Sequence, residues 1–349
     1  MQNKPVLSGL TQAGLARALS SYPPYRIRQI HKWICAGAPS FDDMSNIPAE
    51  MRKELAGNFR LFPGELKYEL TDKDGTLKLG FSLEDGAIIE GVILNDGKGR
   101  KTACLSTQAG CLMGCVFCKT GTLGFGRNLS AEEICFQFLK LREKDRTISH
   151  IVLMGMGEPL LNLEELRKAL GFLTEKDGVN ISKRRITLST CGITDGIFDL
   201  ADNGPDIRLA LSLTSAREEL RGKLMPVSRK NPLPLIKEAL LYYQKKTGRR
   251  ITLEVVLLGG VNSSYADAGA IASFARGLES VINLIPWNPA EDSSGRRLEF
   301  EGKPLISPAR GETIDFAAGL KKRGLKVTLR MGKGRGIRGA CGQLGAVPD

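Results

Sequence analysis

The sequence predicts an α/β fold: a partial (β/α)6-type barrel that follows a small N-terminal helical module and a β-meander. From about residue 101, strand-like runs alternate with helical segments, which is typical of a parallel sheet covered by helices. These runs are continuously apolar, so both faces of the sheet are expected to be buried. Between residues 64 and 100, short strand-like runs are instead separated by hairpin signals.

Residues 1–62 are predicted to form the helical module. The segment LTQAGLARALSSY has helical spacing and stops before Pro23 and Pro24. RIRQIHKWICAG ends at a glycine, and PAEMRKELAGNF opens with a proline that suits the first turn of a helix. Residues 63–100 are predicted to be an antiparallel meander, because KDG and EDG separate the strand-like runs KYELTD, TLKLGFSL and AIIEGVIL.

Residues 101–349 are predicted to form the barrel core. The strand-like TACLSTQ leads into a cysteine-rich loop, and Ser130 with Glu133 forms a capping-box pattern before a helix. The further predicted strands are ISHIVLMGMG, RRITLST, RLALSLT, RITLEVVLL, VINLIPWNP and KVTLRMG. The predicted helices between them are LNLEELRKALGFL, NPLPLIKEALLYYQKK, YADAGAIASFARGL and GETIDFAAGLKKRG. In such folds the chemistry gathers at the carboxyl ends of the strands.

Composition excludes several classes of protein. Hydrophobic residues make up 42% and charged residues 25% of the 349 residues, as in a soluble globular protein. No run approaches the roughly 18 apolar residues of a membrane span, and the start lacks a signal peptide, so a cytoplasmic protein is expected. The net charge of +12 is concentrated in clusters such as SKRR at 182–185 and GKGRGIR at 332–338, which predicts a polyanionic partner.

The most informative stretch is GCLMGCVFC, in which three cysteines, Cys111, Cys115 and Cys118, fall within eight positions. Structural zinc usually takes four ligands, and the two histidines lie far away in sequence without a partner motif. A [4Fe–4S] cluster held by three thiolates leaves one iron open for a substrate. The five other cysteines stand alone, and each is by default a small buried apolar side chain.

This loop has the spacing of the radical S-adenosylmethionine (SAM) superfamily, and GMGEP at 155–159 resembles the superfamily's GGEP motif. Together with SKRRITLST, INLIPWNP and ACGQL, these motifs resemble the RlmN/Cfr family of radical SAM RNA adenine methyltransferases over essentially the whole chain. The resemblance implies a radical SAM barrel, a helical module of RNA-binding type, a [4Fe–4S] cluster held by the three cysteines, and two SAM molecules per turnover.

The resemblance also implies roles for three further residues. Cys341 would take a methyl group from SAM and then become covalently joined to adenine. Cys104 would attack the Cys341 sulfur and release the product as a disulfide forms. Glu90, a carboxylate within the apolar run AIIEGVIL, would be the base that removes the ring proton. Arg335 and Arg338 would favour a thiolate at Cys341.

The SAM contacts carried over from the family pattern are Gly157, Glu158, Ser189, Ser212, Leu213, Thr214 and Asn288. Two positions depart from that pattern. Thr214 stands where the family usually has a histidine. Gly336 stands where the family often has an acidic residue, so the sequence does not explain how the loop of Cys341 is held.

Trp287 in INLIPWNP resembles the branch that methylates carbon 2 of an adenosine in 23S rRNA, rather than the Cfr-type branch that methylates carbon 8. The resemblance leaves open whether tRNA is a second substrate. It implies a cytoplasmic monomer with no membrane contact that receives electrons from a donor such as flavodoxin or ferredoxin. A rival function of another class is a non-catalytic, basic Fe–S or zinc protein that binds RNA.

Overall fold

The N-terminal module consists of three helices in the computed structural model, which describes residues 4–330 and 332–345. The helices are α1 (Gln12–Ala18), α2 (Pro24–Ala36) and α3 (Ala49–Asn58). Helix α2 begins with Pro24 in its first turn, as the sequence predicted. The buried His31 on α2 makes a 2.9 Å contact with Glu175 of the barrel, so the module packs directly on the core.

Ten strands form one sheet across residues 4–330 and 332–345. They are β1 (Gly64–Thr71), β2 (Leu77–Leu83), β3 (Ile88–Asn95), β4 (Lys101–Cys104), β7 (Ile148–Leu153), β8 (Ile186–Thr190), β9 (Arg208–Ser212), β10 (Ile251–Leu257), β11 (Ser280–Pro286) and β14 (Val327–Leu329). Two hairpins lie outside it, β5 (Gln108–Gly110) with β6 (Phe125–Asn128) and β12 (Glu299–Phe300) with β13 (Lys303–Pro304).

The sheet follows the order β1-β2-β3-β4-β7-β8-β9-β10-β11-β14. Pairing is antiparallel from β1 to β4 and parallel from β4 to β14. Strands β1 and β14 lie at opposite edges, so the barrel is open, and the predicted fold class is confirmed. The meander is hydrogen-bonded to the barrel through β3 and β4, and one sheet crosses the predicted division at residue 100.

Helices cover the parallel part of the sheet. They are α5 (Ala131–Lys144), α6 (Leu163–Thr174), α7 (Thr194–Asn203), α8 (Glu218–Leu224), α9 (Leu233–Thr247), α10 (Tyr265–Ala275) and α11 (Arg310–Lys322), while the four-residue helix α4 (Lys119–Thr122) directly follows the cysteine loop. The predicted capping box at Ser130 and Glu133 begins α5. The sequence prediction missed the short helices α4, α7 and α8. Its last strand extended over residue 331, which lies outside the described residues.

The hydrophobic core is continuous from the module through the meander to the barrel. Phe81 of β2 packs edge-on against Phe136 of α5, with ring centroids 5.1 Å apart. In the part of the chain that the structure describes, no helix is both long and apolar enough to cross a membrane. The strands β4 and β7 to β11, whose carboxyl ends lie at one edge of the sheet, are therefore held by this continuous hydrophobic core.

Candidate active site

A cavity lies at the carboxyl edge of the parallel strands, with about 1080 Å³ free of protein atoms including its open mouth. Its wall is formed by the cysteine loop, the turns after β7, β8, β9 and β11, and the C-terminal segment. Of the residues predicted to hold the cluster, SAM or the methyl group, those on the wall are Cys111, Cys115, Cys118, Gly157, Glu158, Ser189, Ser212, Thr214, Asn288 and Cys341. Residues from distant parts of the chain thus share one cavity.

The cysteine loop is fixed by backbone hydrogen bonds. The Cys111 amide donates to the Gly124 carbonyl at 2.8 Å, and the Trp287 indole N–H donates to the Phe117 carbonyl at 2.8 Å. Within the described ranges, no three His, Cys, Asp or Glu side chains are grouped so that they could hold a metal ion. The three thiols nevertheless share the cavity wall, and neither histidine lies on that wall.

The donor chemistry of this loop fits an iron–sulfur cluster. Burial raises the pKa of Cys111 to about 12 and the pKa of Cys118 to about 11. Thiols with such pKa values lose their protons at neutral pH only when a strongly positive group binds them. The cavity also has room in front of the loop for a second molecule. The loop is therefore suited to soft thiolate ligation of iron.

Cys191 is a further thiol on the same wall, and the sequence did not predict it there. Its sulfur lies 4.0 Å from the Cys115 sulfur, and its carbonyl accepts a 2.7 Å hydrogen bond from Arg221. The default expectation of an isolated apolar cysteine is therefore wrong for Cys191. Its position directly after the strand-end segment LST was the one signal in the sequence.

The GMGEP turn after β7 requires its glycines for close packing. Gly157 has φ +101°, and a Cβ there would lie 2.5 Å from the Gln108 Cβ. The turn places Glu158, which is 1% exposed, with its Oε2 accepting from the Cys191 amide at 2.7 Å and its Oε1 accepting from the Leu160 amide at 3.1 Å. Burial raises the pKa of this carboxyl. A bound amino group would be a natural further partner.

Two neighbouring strand ends, those of β8 and β9, supply three hydroxyl groups to the wall. The Ser189 and Ser212 hydroxyls lie 3.1 Å apart. Thr214 has φ +55°, and among the described atoms its buried Oγ1 has no hydrogen-bond partner. Leu213 differs from the other predicted SAM contacts: its side chain is buried in the core and is not part of the wall, while its amide donates to the Glu254 carbonyl at 2.9 Å.

Asn288, after β11, holds the C-terminal segment. Its Nδ2 donates to the Cys341 carbonyl at 3.1 Å, and its Oδ1 accepts from the Arg335 Nε at 2.7 Å. The Lys119 amide donates to the Gly342 carbonyl at 2.8 Å, which joins the segment to the cysteine loop. Cys341, which is exposed, is thereby held on the cavity wall.

Acidic residues of the meander hold the C-terminal loop, in which Gly336 stands where the family often has an acidic residue. Asp72 and Asp74, in the turn after β1, accept hydrogen bonds from the Gly336 amide at 2.8 Å and the Gly334 amide at 2.9 Å. Two carboxylates from a distant part of the chain therefore anchor the loop that leads to Cys341. The loop is therefore firmly held, even though Gly336 departs from the family pattern.

Cys104 ends β4 and is buried behind the wall. Burial, together with the negative charge of a Cys341 thiolate, raises the pKa of Cys104 to about 12, and the positive charge of Arg330 acts in the opposite direction. Burial of its sulfur also raises the pKa of Cys341, although the residue as a whole is exposed, and again the charge of Arg330 acts in the opposite direction.

The positive charge that acts on Cys341 comes from Arg330, which lies on the cavity wall. The expectation that Arg335 and Arg338 favour the thiolate of Cys341 is therefore corrected. Arg335 bonds Asn288, and Arg338 lies 3.3 Å from Glu291. Both guanidinium groups are thus engaged elsewhere, whereas Arg330 follows β14 directly and contacts the Met154 sulfur at 3.9 Å.

Glu90 is buried on β3 and is only 1% exposed, but its surroundings are more polar than its apolar strand suggested. Its carboxylate lies 2.8 Å from the ammonium of Lys78, which is also 1% exposed, and accepts 2.5 Å and 2.6 Å hydrogen bonds from the Tyr68 hydroxyl and the Gly345 amide. Lys78 also donates to the Arg338 carbonyl at 3.3 Å. Glu90 thus contacts the segment that carries Cys341.

The class of protein follows from this arrangement. A three-thiol loop beside a GxGEP turn, at the carboxyl edge of an open barrel, is characteristic of radical SAM enzymes, and residues 105–268 match the family model described as "Radical SAM superfamily". The chain is 47% identical over 343 residues to the probable dual-specificity RNA methyltransferase RlmN of Treponema denticola, covering 98% of this chain and 96% of that protein. It belongs to the RlmN family of radical SAM RNA methyltransferases.

Other similarities agree with this family. A probable dual-specificity RNA methyltransferase RlmN of Thermus thermophilus is 42% identical over 325 residues, covering 92% of this chain and 88% of that one. The crystal structure of a radical SAM methyltransferase from Sphaerobacter thermophilus superposes with a TM-score of 0.91 at 38% identity, covering 98% and 100% of the two chains. The predicted family is confirmed, as are the [4Fe–4S] cluster and SAM as its cofactors.

Replacement of all three loop cysteines by alanine is expected to remove the cluster. The reason is that Cys111, Cys115 and Cys118 would supply the three thiolates. Iron content and visible absorption should fall to background in the triple variant after anaerobic purification. A matched control is Cys135→Ala, which removes a buried thiol on α5 and should leave both signals unchanged. Iron retained by the triple variant at the wild-type level would contradict this assignment.

Proposed function

We propose that this protein methylates carbon 2 of an adenosine in 23S rRNA and that tRNA is a second substrate. The observation that carries the proposal is the placement of the Cys341 thiol on the wall that also holds the three loop thiols and Glu158. A methyl acceptor and the groups that bind a cluster and SAM thus face the same space. The printed names of the relatives, which describe dual-specificity RNA methyltransferases, support RNA as the substrate.

The wall residues divide into two sets in this proposal. Cys111, Cys115 and Cys118 hold the cluster, while Glu158 receives the amino group of SAM. Gly157, Ser189, Ser212, Thr214 and Asn288 complete the SAM site, to which Leu213 contributes through its backbone. When bound, the cluster and SAM supply a methyl group and a radical that abstracts hydrogen.

Cys341 carries the carbon that is transferred. Its sulfur accepts one methyl group, and the same carbon then becomes bonded to carbon 2 of adenine, so RNA and protein are joined through one methylene bridge. Two observations support this role: Asn288 donates a hydrogen bond to the Cys341 carbonyl, and Cys341 lies on the cavity wall. Arg330 stabilises the thiolate form of Cys341, because thiolates rather than thiols are the nucleophiles.

Cys104 and Glu90 release the product. The adduct carries one unpaired electron, which returns to the cluster, and Glu90 removes the proton from carbon 2. The Cys104 thiolate attacks the Cys341 sulfur, so a disulfide forms, the sulfur–carbon bond breaks and the carbon left on the RNA takes up a proton. The two thiols are oxidised in this step, and an external thiol reductant restores them. The hydrogen bond from the Gly345 amide to Glu90 supports this role, because Gly345 belongs to the segment that bears Cys341.

Carbon-8 methylation of the same adenosine is the second candidate. The resemblance of INLIPWNP, with Trp287, to the carbon-2 branch supports carbon 2; the Trp287 indole is buried on the cavity wall and donates to the Phe117 carbonyl of the cysteine loop. A tyrosine, commoner in the carbon-8 branch, presents a hydroxyl in place of this indole N–H. A non-catalytic RNA-binding protein is a third candidate, and it would need neither Cys104 nor Cys341.

The basic cluster GKGRGIR at 332–338 follows β14 at the carboxyl edge of the sheet, and its Arg335 and Arg338 are exposed, so it supplies a surface for RNA beside the cavity. SKRR at 182–185 is also exposed, but it precedes β8 and lies at the opposite edge of the sheet. Exposed arginine and lysine side chains contact phosphates without regard to base sequence. We further propose that the protein is a cytoplasmic monomer that receives electrons from flavodoxin or ferredoxin.

Anaerobically reconstituted protein, given SAM, a reductant and a 23S rRNA fragment, is expected to release 5′-deoxyadenosine and to form 2-methyladenosine. Nucleosides from the digested RNA are separated and identified by mass spectrometry against both methyladenosine standards. A matched tRNA reaction tests the second substrate. Formation of 8-methyladenosine would support the carbon-8 candidate, and an absence of 5′-deoxyadenosine would leave the non-catalytic one.

A further inference from the structure

Glu254 is an unassigned carboxylate on the wall of the active-site cavity. It lies within β10, and only 6% of its surface is exposed. Its Oε1 accepts a 3.2 Å hydrogen bond from Asn283, whereas its buried Oε2 has no hydrogen-bond partner among the described atoms. A buried carboxylate oxygen without a hydrogen-bond partner raises the free energy of the folded protein, so we expect a ligand to bond this oxygen.

The register of the sheet places Glu254 beside a residue of the SAM site. Glu254 is paired with Ser212 on β9 and with Asn283 on β11. Side chains of paired residues in a parallel sheet point to the same face. The Ser189 hydroxyl, 3.1 Å from that of Ser212, extends the same polar row. The row therefore runs across four neighbouring strands of the cavity.

The order of groups along the wall matches the order of groups in SAM. Glu158, which would receive the amino group, follows β7, and the polar row begins on the next strand, β8. Val256, two residues beyond Glu254 on the same face of β10, and Ile285 of β11 offer apolar surface on the wall. A ribose lies between the amino-acid part and the adenine in SAM, so the polar row corresponds to the ribose.

We propose that Glu254 binds the ribose of SAM, with its free Oε2 accepting hydrogen bonds from the 2′ and 3′ hydroxyl groups of the ribose. A carboxylate oxygen has two lone pairs, and acidic side chains recognise ribose hydroxyls in this way in dinucleotide-binding folds. The buried, unpartnered Thr214 hydroxyl is a second polar group on the same wall. Burial raises the pKa of Glu254, while Arg330 and Asn283 act in the opposite direction. This inference rests on SAM as the bound molecule and not on the RNA product.

The test measures equilibrium binding of S-adenosyl-L-homocysteine and of its 2′,3′-dideoxy analogue to the anaerobically reconstituted protein. The wild-type protein should bind the analogue about ten- to hundredfold more weakly, since hydrogen bonds to a charged group are lost. Glu254→Gln should weaken S-adenosyl-L-homocysteine by at least about tenfold and change the analogue by less than about twofold. Glu254→Asp, whose oxygen is withdrawn by one methylene group, should show the same pattern and serves where the glutamine variant does not fold.

Asp267→Asn is the matched control, because Asp267 is a buried carboxylate at the start of α10 that does not line the cavity. It should leave both affinities unchanged. An equal loss for both ligands in Glu254→Gln, or no loss for either, would overturn the proposal. A change confined to the rate at which Cys341 is methylated, with unaltered binding, would overturn it too. Binding is measured without RNA, so failure of the proposed RNA chemistry would not alter this result.

Discussion

The Cys104→Ala variant is expected to accumulate RNA that is covalently attached to Cys341. Cys341 still accepts the methyl group and still bonds to adenine, but no neighbouring thiol attacks its sulfur. Turnover should fall by about a thousandfold or more, in line with the loss of a nucleophile. Denaturing electrophoresis should show a protein band of reduced mobility that collapses to normal mobility after nuclease treatment.

The control for this result is again Cys135→Ala, which removes an equally buried thiol that does not line the cavity. It should turn over at the wild-type rate and carry no attached RNA. Turnover of Cys104→Ala at the wild-type rate, without a trapped adduct, would show that another group resolves the complex. A negative charge on Cys341 also raises the pKa of Cys118, but a Cys118 sulfur bound to the cluster could not attack the Cys341 sulfur.

Cys341→Ala is expected to lose product altogether and to form no adduct. This side chain carries the transferred carbon, so the variant stops one step earlier than Cys104→Ala. Product should fall by at least about a thousandfold, and intact-protein mass spectrometry after incubation with SAM should show no added methyl group. Cys104→Ala, measured in parallel, should show that group.

The double variant separates the two roles further. If Cys341 acts first, adding Cys341→Ala to Cys104→Ala should abolish the trapped RNA, and the double variant should behave like Cys341→Ala alone. Iron content and absorption verify that each variant retains its cluster. An adduct in the double variant would mean that a residue other than Cys341 bonds the RNA.

The strands and the cysteine loop could be predicted from sequence because their signals are local. Apolar runs marked each parallel strand, and the spacing of Cys111, Cys115 and Cys118 indicated a cluster site. Helix α7 was missed because TDGIFDLADN is short and contains a glycine. The joining of the meander to the barrel could not be predicted, since pairing between strands depends on the tertiary fold.

The remaining parts of the site depend on contacts between distant residues. Cys191 and Cys115 are 76 positions apart, and nothing in either local sequence indicates that their sulfurs meet. Lys78 occupies a strand where a lysine normally faces solvent, and only the folded sheet shows its ammonium against Glu90. The same reason explains why Arg330 was overlooked in favour of Arg335 and Arg338, which are closer to Cys341 in sequence.

The anchoring of the C-terminal loop by the meander limits how relatives of this protein can be recombined. Asp72, Asp74, Lys78 and Glu90 all bond residues between 334 and 345. A chimera that took residues 101–349 from one relative and the preceding segment from another would bring together halves whose contacts had diverged separately. The meander and residues 334–345 should therefore be exchanged together, although most of the barrel separates them along the chain. A chimera between relatives should use a crossover near residue 62.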